Sequence, residues 1–339
     1  MTRPRRAMTG LLTSATVLAL AACGESQASD AETLTVYSAQ HESLVRTMLE
    51  GFTDETGIEL EFRDANDSEL ANQIVQEGDS SPADVFLTEN SPAIDVVDQA
   101  GLLAPIDPRT LEQVEASYRP ASGNWTGFAA RSTALIHNPD EIAEDELPAS
   151  MLELADPEWE GRVAIAAGGA DFQAIVSAVL ALEGEEATRE WLTGLERNAE
   201  IYASNTAIMK AVDEGEVPVG ITYHYYWFRD QAQEGLVGDD AELHYFRNQD
   251  PGAFVSVSGA GVLASSDQQD DAQRLVEWLT GPEAQERLAD SSALEYAVGV
   301  GVDSADALPP LAELEAPDVD PGSLDASKVT ELMQEAGLL

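Results

Sequence analysis

Among 339 residues there is one cysteine, Cys23, and there are two lysines, Lys210 and Lys328. A single thiol so close to the N-terminus excludes an intrachain disulfide, a cysteine-built metal cluster and a catalytic thiol in the folded body. Chemistry has to rest on oxygen and nitrogen donors. Positive charge is scarce throughout: 17 Lys plus Arg stand against 63 Asp plus Glu, a formal net charge of −46. Such a field repels nucleic acid and anionic lipid headgroups. Acidity of this density is also what keeps a protein soluble at high salt, and salt tolerance is the simplest reading of it. Internal repeats and low-complexity tracts are lacking, and no segment after the first 22 residues matches their hydrophobicity. Gly168-Gly169 lacks the Lys and Ser/Thr of a nucleotide loop. No nucleophile is paired with a base, so nothing points to an enzyme.

What is present begins with an export signal. Arg3, Arg5 and Arg6 precede an apolar run from Leu11 to Leu20, shorter than the twenty or so residues that span a bilayer. Paired Arg5-Arg6 lacks the apolar pair that usually follows in twin-arginine signals. Leu20-Ala21-Ala22-Cys23-Gly24 resembles the lipobox of bacterial lipoproteins. That resemblance implies cleavage after residue 22, a lipid on Cys23 and a short spacer over 23–32, placing the body on the outer face of the cytoplasmic membrane. Losing three arginines with residues 1–22 takes the net charge from −46 to −49.

About 300 residues remain, enough for two domains. Periodicity predicts a strand at Leu34–Ser38, a helix from His41 to Phe52, a strand through Ile58, Leu60 and Phe62, and a helix from Ser68 to Gln76. A strand at Ala83–Leu87 and a helix from Pro92 to Gln99 follow, with Gly101 as a stop. The alternation recurs in a second set: strand Val163–Ala166, helices Phe172–Leu182 and Ala187–Leu195, strand Ile201–Ser204 and strand Val217–Thr222. Ala253–Ser265 reads as one long strand and Asp270–Thr280 as an amphipathic helix. Strands alternating with helices imply largely parallel sheets whose ligands bind at the carboxyl ends of strands. Two such sheets would face each other across a cleft.

Three segments fall at those strand ends. His41 opens the first helix, Glu89 closes the strand ending at Thr88, and Tyr225 and Tyr226 close the strand running through Val219 to His224. Alone, each has an ordinary explanation: a helix cap, a carboxylate favoured by a helix dipole, packed aromatics. Their shared position lifts them together. A carboxylate, an imidazole and two phenols form a hard, oxygen-rich set suited to a trivalent cation such as ferric iron, which is acidic enough to displace phenolic protons. Magnesium or calcium would recruit several carboxylates, and structural zinc more His or Cys. His137, His224 and His244 have no helical pairing with another ligand and read as structural, with His224 turned by strand alternation away from Tyr223 and Tyr225.

Several segments together resemble the ferric-iron-binding periplasmic protein family, the transferrin-like members of the substrate-binding proteins of ABC importers. They are Thr35-Val36-Tyr37-Ser38-Ala39-Gln40-His41, Ser81-Pro82-Ala83-Asp84-Val85-Phe86 leading to Glu89, and Trp159-Glu160-Gly161-Arg162-Val163. Tyr225-Tyr226-Trp227, Asp250-Pro251-Gly252-Ala253 and Ser258-Gly259-Ala260 complete the match, which spans about residues 33 to 339. The resemblance implies that His41 and Glu89 from one lobe and Tyr225 and Tyr226 from the other bind Fe³⁺, with carbonate, another anion or water filling the remaining positions. It implies delivery to an ABC transporter permease by a monomer. For the anion, it points to Asn90, where relatives carry Gln, to Gly169 and Ala170, where Gly168 has replaced the serine of a Ser-Gly-Ala run, and to Arg131-Ser132, expected at the start of the strand leading to Ile136. Loss of that hydroxyl weakens a phosphate assignment. Tyr223 replaces an Asn common two positions before the ligand pair.

The expected architecture is α/β, a two-lobed periplasmic-binding fold of type II. Residues 33–130 plus 258–305 would form lobe 1 and residues 131–257 plus 306–339 lobe 2. Hinge crossings are expected near 115–131 and 255–262, and ligand binding would shift an open and closed equilibrium. A receptor for an organic solute such as a phosphonate, a polyamine or thiamine would reuse the fold, stacking its ligand on Tyr225, Tyr226 and Trp227. In that case His41 would scarcely matter.

Overall fold

The computed structural model describes residues 33–235 and 241–339. The expected signal over 1–22, the anchor Cys23 and the spacer over 23–32 lie outside the described residues. No helix among the described residues is long and apolar enough to cross a membrane.

Ten strands form one mixed sheet: β1 (Thr33–Ser38), β2 (Glu59–Asp64), β3 (Val85–Leu87), β4 (Leu103–Ala104), β5 (Trp125–His137), β6 (Val163–Ile165), β7 (Ala199–Ile201), β8 (Val219–Tyr223), β9 (Glu242–His244) and β10 (Val255–Leu263). Their order is β2-β1-β3-β10-β5-β8-β6-β7, with β4 against β10 and β9 against β5. The strands β1, β2 and β3 pair in parallel, as do β6, β7 and β8, which is the expected consequence of strand–helix alternation. β10 and β5 run antiparallel between these groups. β5 is long because it serves both: Trp125 to Ser132 pair with β10, whereas Thr133 to His137 pair with β8. A third segment joins them where Tyr296 bridges Ala130.

The helices are α1 (Glu42–Met48), α2 (Phe52–Thr56), α3 (Asp67–Glu77), α4 (Ser91–Gln99), α5 (Pro108–Leu111), α6 (Ala170–Asn198), α7 (Asn205–Asp213), α8 (His224–Arg229), α9 (Gln269–Thr280), α10 (Pro282–Ala289) and α11 (Ala326–Ala336). One core joins Leu34, Val36, Phe52 and Val85 to Ala260 of β10 and to Leu275 and Leu279 of α9. Another joins Leu135, Val163, Ile175 and Ile221 to Val329, Leu332 and Met333 of α11. Side chains alternate into these cores along the strands, so the burial of each sheet face follows from the period of two.

Four sequence expectations are corrected. The helix from His41 to Phe52 is two helices, because Gly51 adopts a left-handed φ of 85° that an α-helix cannot continue through. The strand expected at Ile201–Ser204 lies earlier, as β7, because the Ser204 side chain instead caps α7 by accepting the Ala207 N–H at 3.2 Å. The strand from Ala253 starts at Val255, since Asp250 caps a single helical turn at Pro251–Ala253. Arg131 and Ser132 sit in the middle of β5, not at a strand start.

Candidate metal centre

His41 is the N-terminal cap residue of α1 and leaves β1 through a turn that Gln40 fastens. The His41 N–H donates to Gln40 Oε1 at 2.7 Å, and Gln40 Nε2 donates to Ser258 Oγ of β10 at 2.8 Å. Glu89 follows β3. Its N–H and that of Asn90 donate to the two carboxylate oxygens of Asp67, each at 2.9 Å, so a buried acid at the start of α3 holds the loop.

Tyr225 and Tyr226 were expected to close a strand, but β8 ends at Tyr223 and both tyrosines lie in the first turn of α8. Helical spacing places their rings side by side, 4.1 Å apart between centroids. His224 is consequently the first residue of α8 rather than an outward-alternating strand residue, and it is fully buried. Its Nδ1 accepts the Ser132 N–H at 3.1 Å, and burial lowers its pKa to about 3, so the ring is neutral.

Three of the four expected donors form a ring of contacts, with the Tyr226 ring lying beside that of Tyr225. His41 Nε2 lies 3.2 Å from the Tyr225 hydroxyl and 3.3 Å from Glu89 Oε1, and the Tyr225 hydroxyl donates to Glu89 Oε1 at 3.2 Å. Adjacent donors of an octahedral ion with ~2.1 Å bonds stand roughly 3.0 Å apart, so these separations suit ligands sharing one ion. Among the described residues, no group of three or more His, Cys, Asp or Glu is arranged to hold a metal. A metal held beside His41 and Glu89 would need the phenol oxygens as further donors. Tyr225 is fully buried, while the side chains of His41 and Glu89 are partly exposed.

Tyr226 points to a group the sequence reading missed. Its hydroxyl donates at 3.0 Å to Oδ2 of Asp171, in the first turn of α6. Asp171 also accepts from Asn90 Nδ2 at 3.0 Å and from Asn205 Nδ2 at 2.8 Å. An acid in a first helical turn reads as ordinary dipole compensation, and its partners lie 81 and 34 residues away in sequence. Asp67 was missed for the same reason. Arg229, one turn beyond the tyrosines, was also missed, and its guanidinium carbon stands 5.8 and 5.6 Å from their ring centroids.

Of the expected anion contacts, Asn90 is committed: its amide nitrogen donates to Asp171 and its oxygen accepts from Ser256 Oγ at 2.7 Å and Tyr223 at 3.5 Å. The Ser132 hydroxyl donates to the Thr133 carbonyl at 2.9 Å, within its own strand. Gly169 caps α6 and Ala170 begins it, so both precede Asp171 directly. Arg131 is fully buried, its guanidinium taken up by Glu295 at 2.5 Å, Ser258 Oγ at 2.7 Å and the Glu89 carbonyl.

The electrostatics follow from burial. Burial first, then the charges of Asp171, Tyr226 and Glu89, push the Tyr225 pKa well above its ordinary value, and burial and Asp171 do the same for Tyr226. Burial and the neighbouring Glu89 raise Asp171 to about 7, and Asp67 likewise to about 7. Burial works against ionisation of Glu89 too, but the His41 hydrogen bond and the Arg131 charge outweigh it and hold Glu89 below the usual carboxylate value. The Glu89 hydrogen bond in turn raises His41, against its own burial. The centre thus holds one firm negative charge and two phenols that surrender protons only to a strongly acidic cation.

Comparison with known proteins identifies the family. The family model described as bacterial extracellular solute-binding protein matches residues 80–321. A protein of Serratia marcescens named Fe(3+)-binding periplasmic protein is 53% identical over 329 residues, covering 97% of this chain and 96% of that one. The iron-bound structure of HitA from Pseudomonas aeruginosa superposes with a TM-score of 0.84 at 40% identity, covering 90% of this chain and 99% of that chain. A Trichodesmium protein (IdiA, FutA) in complex with iron and citrate superposes with a TM-score of 0.79 at 26% identity, covering 91% and 100%. The chain accordingly has the α/β architecture of those binding proteins and belongs to the family of bacterial extracellular solute-binding proteins.

Proposed function

We propose that this chain binds ferric iron, through His41, Glu89, Tyr225 and Tyr226, and delivers it to an ABC importer. The observation that carries the reading is the convergence of His41 Nε2, Glu89 Oε1 and the Tyr225 hydroxyl at 3.2–3.3 Å, with the Tyr226 hydroxyl on the neighbouring ring. The phenolate-rich set selects a hard trivalent cation. Its relatives' names point the same way: a Fe(3+)-binding periplasmic protein and two structures with iron bound, one of them with citrate.

Four side chains leave two octahedral positions. An anion such as carbonate or a carboxylate of a chelate, or water, fills them, and the Asp171 carboxylate beside Tyr226 supplies negative charge at that end of the site. The lobes are assigned as residues 33–130 plus 258–305 and 131–257 plus 306–339. Support comes from β5, which exchanges one partner strand for another between Ser132 and Thr133. Opening about that point would part His41 and Glu89 from the tyrosines they touch here. The lipobox-like triplet before Cys23 supports a lipid anchor on the outer face of the cytoplasmic membrane, where the permease partner is met.

The direct test is titration of metal-free protein with ferric nitrilotriacetate. One iron per chain and a visible tyrosinate-to-iron band that survives gel filtration are expected, with no band from zinc. A protein that stays colourless and retains no iron would overturn the reading.

A further inference from the structure

The guanidinium of Arg131 touches both halves of the metal centre without facing solvent. It lies on β5, one residue before the last residue that pairs with β10, and is fully buried. One terminal nitrogen reaches the Glu89 carbonyl and stands 3.8 Å from Glu89 Oε1, and the carbon stands 5.6 Å from the Tyr225 ring centroid. The other terminal nitrogen meets Glu295 Oε2 at 2.5 Å and Ser258 Oγ at 2.7 Å. Glu295 is itself buried, and it arrives on the segment that bridges β5 through Tyr296, whose N–H donates to the Ala130 carbonyl at 2.8 Å.

We infer that Glu295 is a positioning residue for Glu89: it occupies the Arg131 guanidinium and so leaves the Glu89 carboxylate to the metal. The inference rests on Glu89 being an iron ligand. A buried cation deprived of its counter-ion is driven to the nearest acceptor that can neutralise it. Here that acceptor is Glu89 Oε1, 3.8 Å away, because neither the Ser258 hydroxyl nor the Tyr225 ring carries the opposite charge. An oxygen hydrogen-bonded to a guanidinium in a desolvated site is a poorer metal donor. Glu295 prevents that competition without touching the metal.

The test measures Fe³⁺ affinity, by competition with citrate, in Glu295→Gln, Glu295→Asp, Glu89→Gln and the Glu89→Gln, Glu295→Gln pair. Glu295→Gln should weaken binding about tenfold or more, while Glu295→Asp, which keeps the charge, should stay within about threefold of wild type. In the Glu89→Gln background the Glu295→Gln change should cost less than about twofold, since the residue acts through Glu89. A merely structural role for Glu295 would give the same loss in both backgrounds and would overturn the inference, as would unchanged affinity in Glu295→Gln. Should that variant not fold, the Arg131→Met, Glu295→Met pair removes both charges and should bind iron within about fivefold of wild type. A tenfold loss there would also overturn it. Unchanged affinity in Glu89→Gln alone would overturn both this inference and the assignment of Glu89.

Discussion

Tyr225 and Tyr226 hold their protons far more tightly than free phenols, so an entering Fe³⁺ has to expel two protons from a buried site. Lowering the pH strengthens that competition. The apparent affinity should fall by up to about two log units per pH unit on acidification, read as bleaching of the visible band in a pH series. A pH-independent affinity would contradict metal–phenolate bonding. Asp171 adds a smaller dependence: near neutrality it gains charge as pH rises through about 7, and that charge attracts the cation. Asp171→Asn keeps an acceptor for Tyr226 but removes the charge, and should weaken iron binding by about tenfold at pH 8, with a smaller effect at pH 6. His41, Glu89 and the tyrosines were legible in the sequence because each neighbours a strand end and carries distinctive chemistry. Asp171, Asp67 and Glu295 were not, because an acid in a chain this acidic carries no signal until its distant partners are known.

At the scale of elements, the sequence pattern located the strands apart from the short β4 and β9 and a displaced β7, and the discrepancies trace mainly to helix starts: Ser204 and Asp250 cap helical turns where strand was expected, and Gly51 separates α1 from α2. Gly184, at φ 82° inside α6, separates the two helices that the sequence suggested as Phe172–Leu182 and Ala187–Leu195. The strand expected to run through Val219 to His224 and be closed by Tyr225 and Tyr226 stops at Tyr223, opposite Thr133, and the chain turns into α8. That turn gives the two phenols their shared direction, which strand geometry would have denied them. β8 can lie so close to its surroundings because Gly220 has no side chain. A Cβ there would collide with Ile208 Cγ2 of α7 and stand 3.4 Å from Ala164 and Ile136 of the flanking strands. Gly220→Ala should cost about 1–3 kcal/mol, lowering Tm by several degrees in a thermal melt of the metal-free protein. An unchanged Tm would mean α7 is free to shift.

The whole molecule carries a net charge of −46, and three of its buried acids titrate unusually high. Asp67, Asp95 and Asp171 each have pKa values near 7 in the folded chain, burial being the first cause, against about 4 when unfolded. Between those values the folded state holds more protons than the unfolded state. Their contribution to stability is therefore complete below about pH 4 and lost as pH rises through about 7. Self-repulsion acts in the same direction. The metal-free protein should melt higher at pH 5.5 than at pH 8, and added NaCl should raise Tm more at pH 8. A Tm that is flat or falls with salt would contradict the reading of the acidic surface as an adaptation to high salt. Composition and periodicity reached the fold class, whereas the joining of ten strands through β5 and β10 depends on long-range pairing that no local pattern encodes.

The tyrosine pair bears the central claim, and one comparison of visible spectra tests it. Tyr225→Phe, Tyr226→Phe preserves the ring packing at 4.1 Å and deletes only the two oxygens, so the double variant should fold normally. Titrated with ferric nitrilotriacetate, wild type should develop the tyrosinate-to-iron band to one iron per chain, and the double variant should develop none. A double variant that takes up Fe³⁺ with wild-type colour and affinity would show that the iron is bound elsewhere.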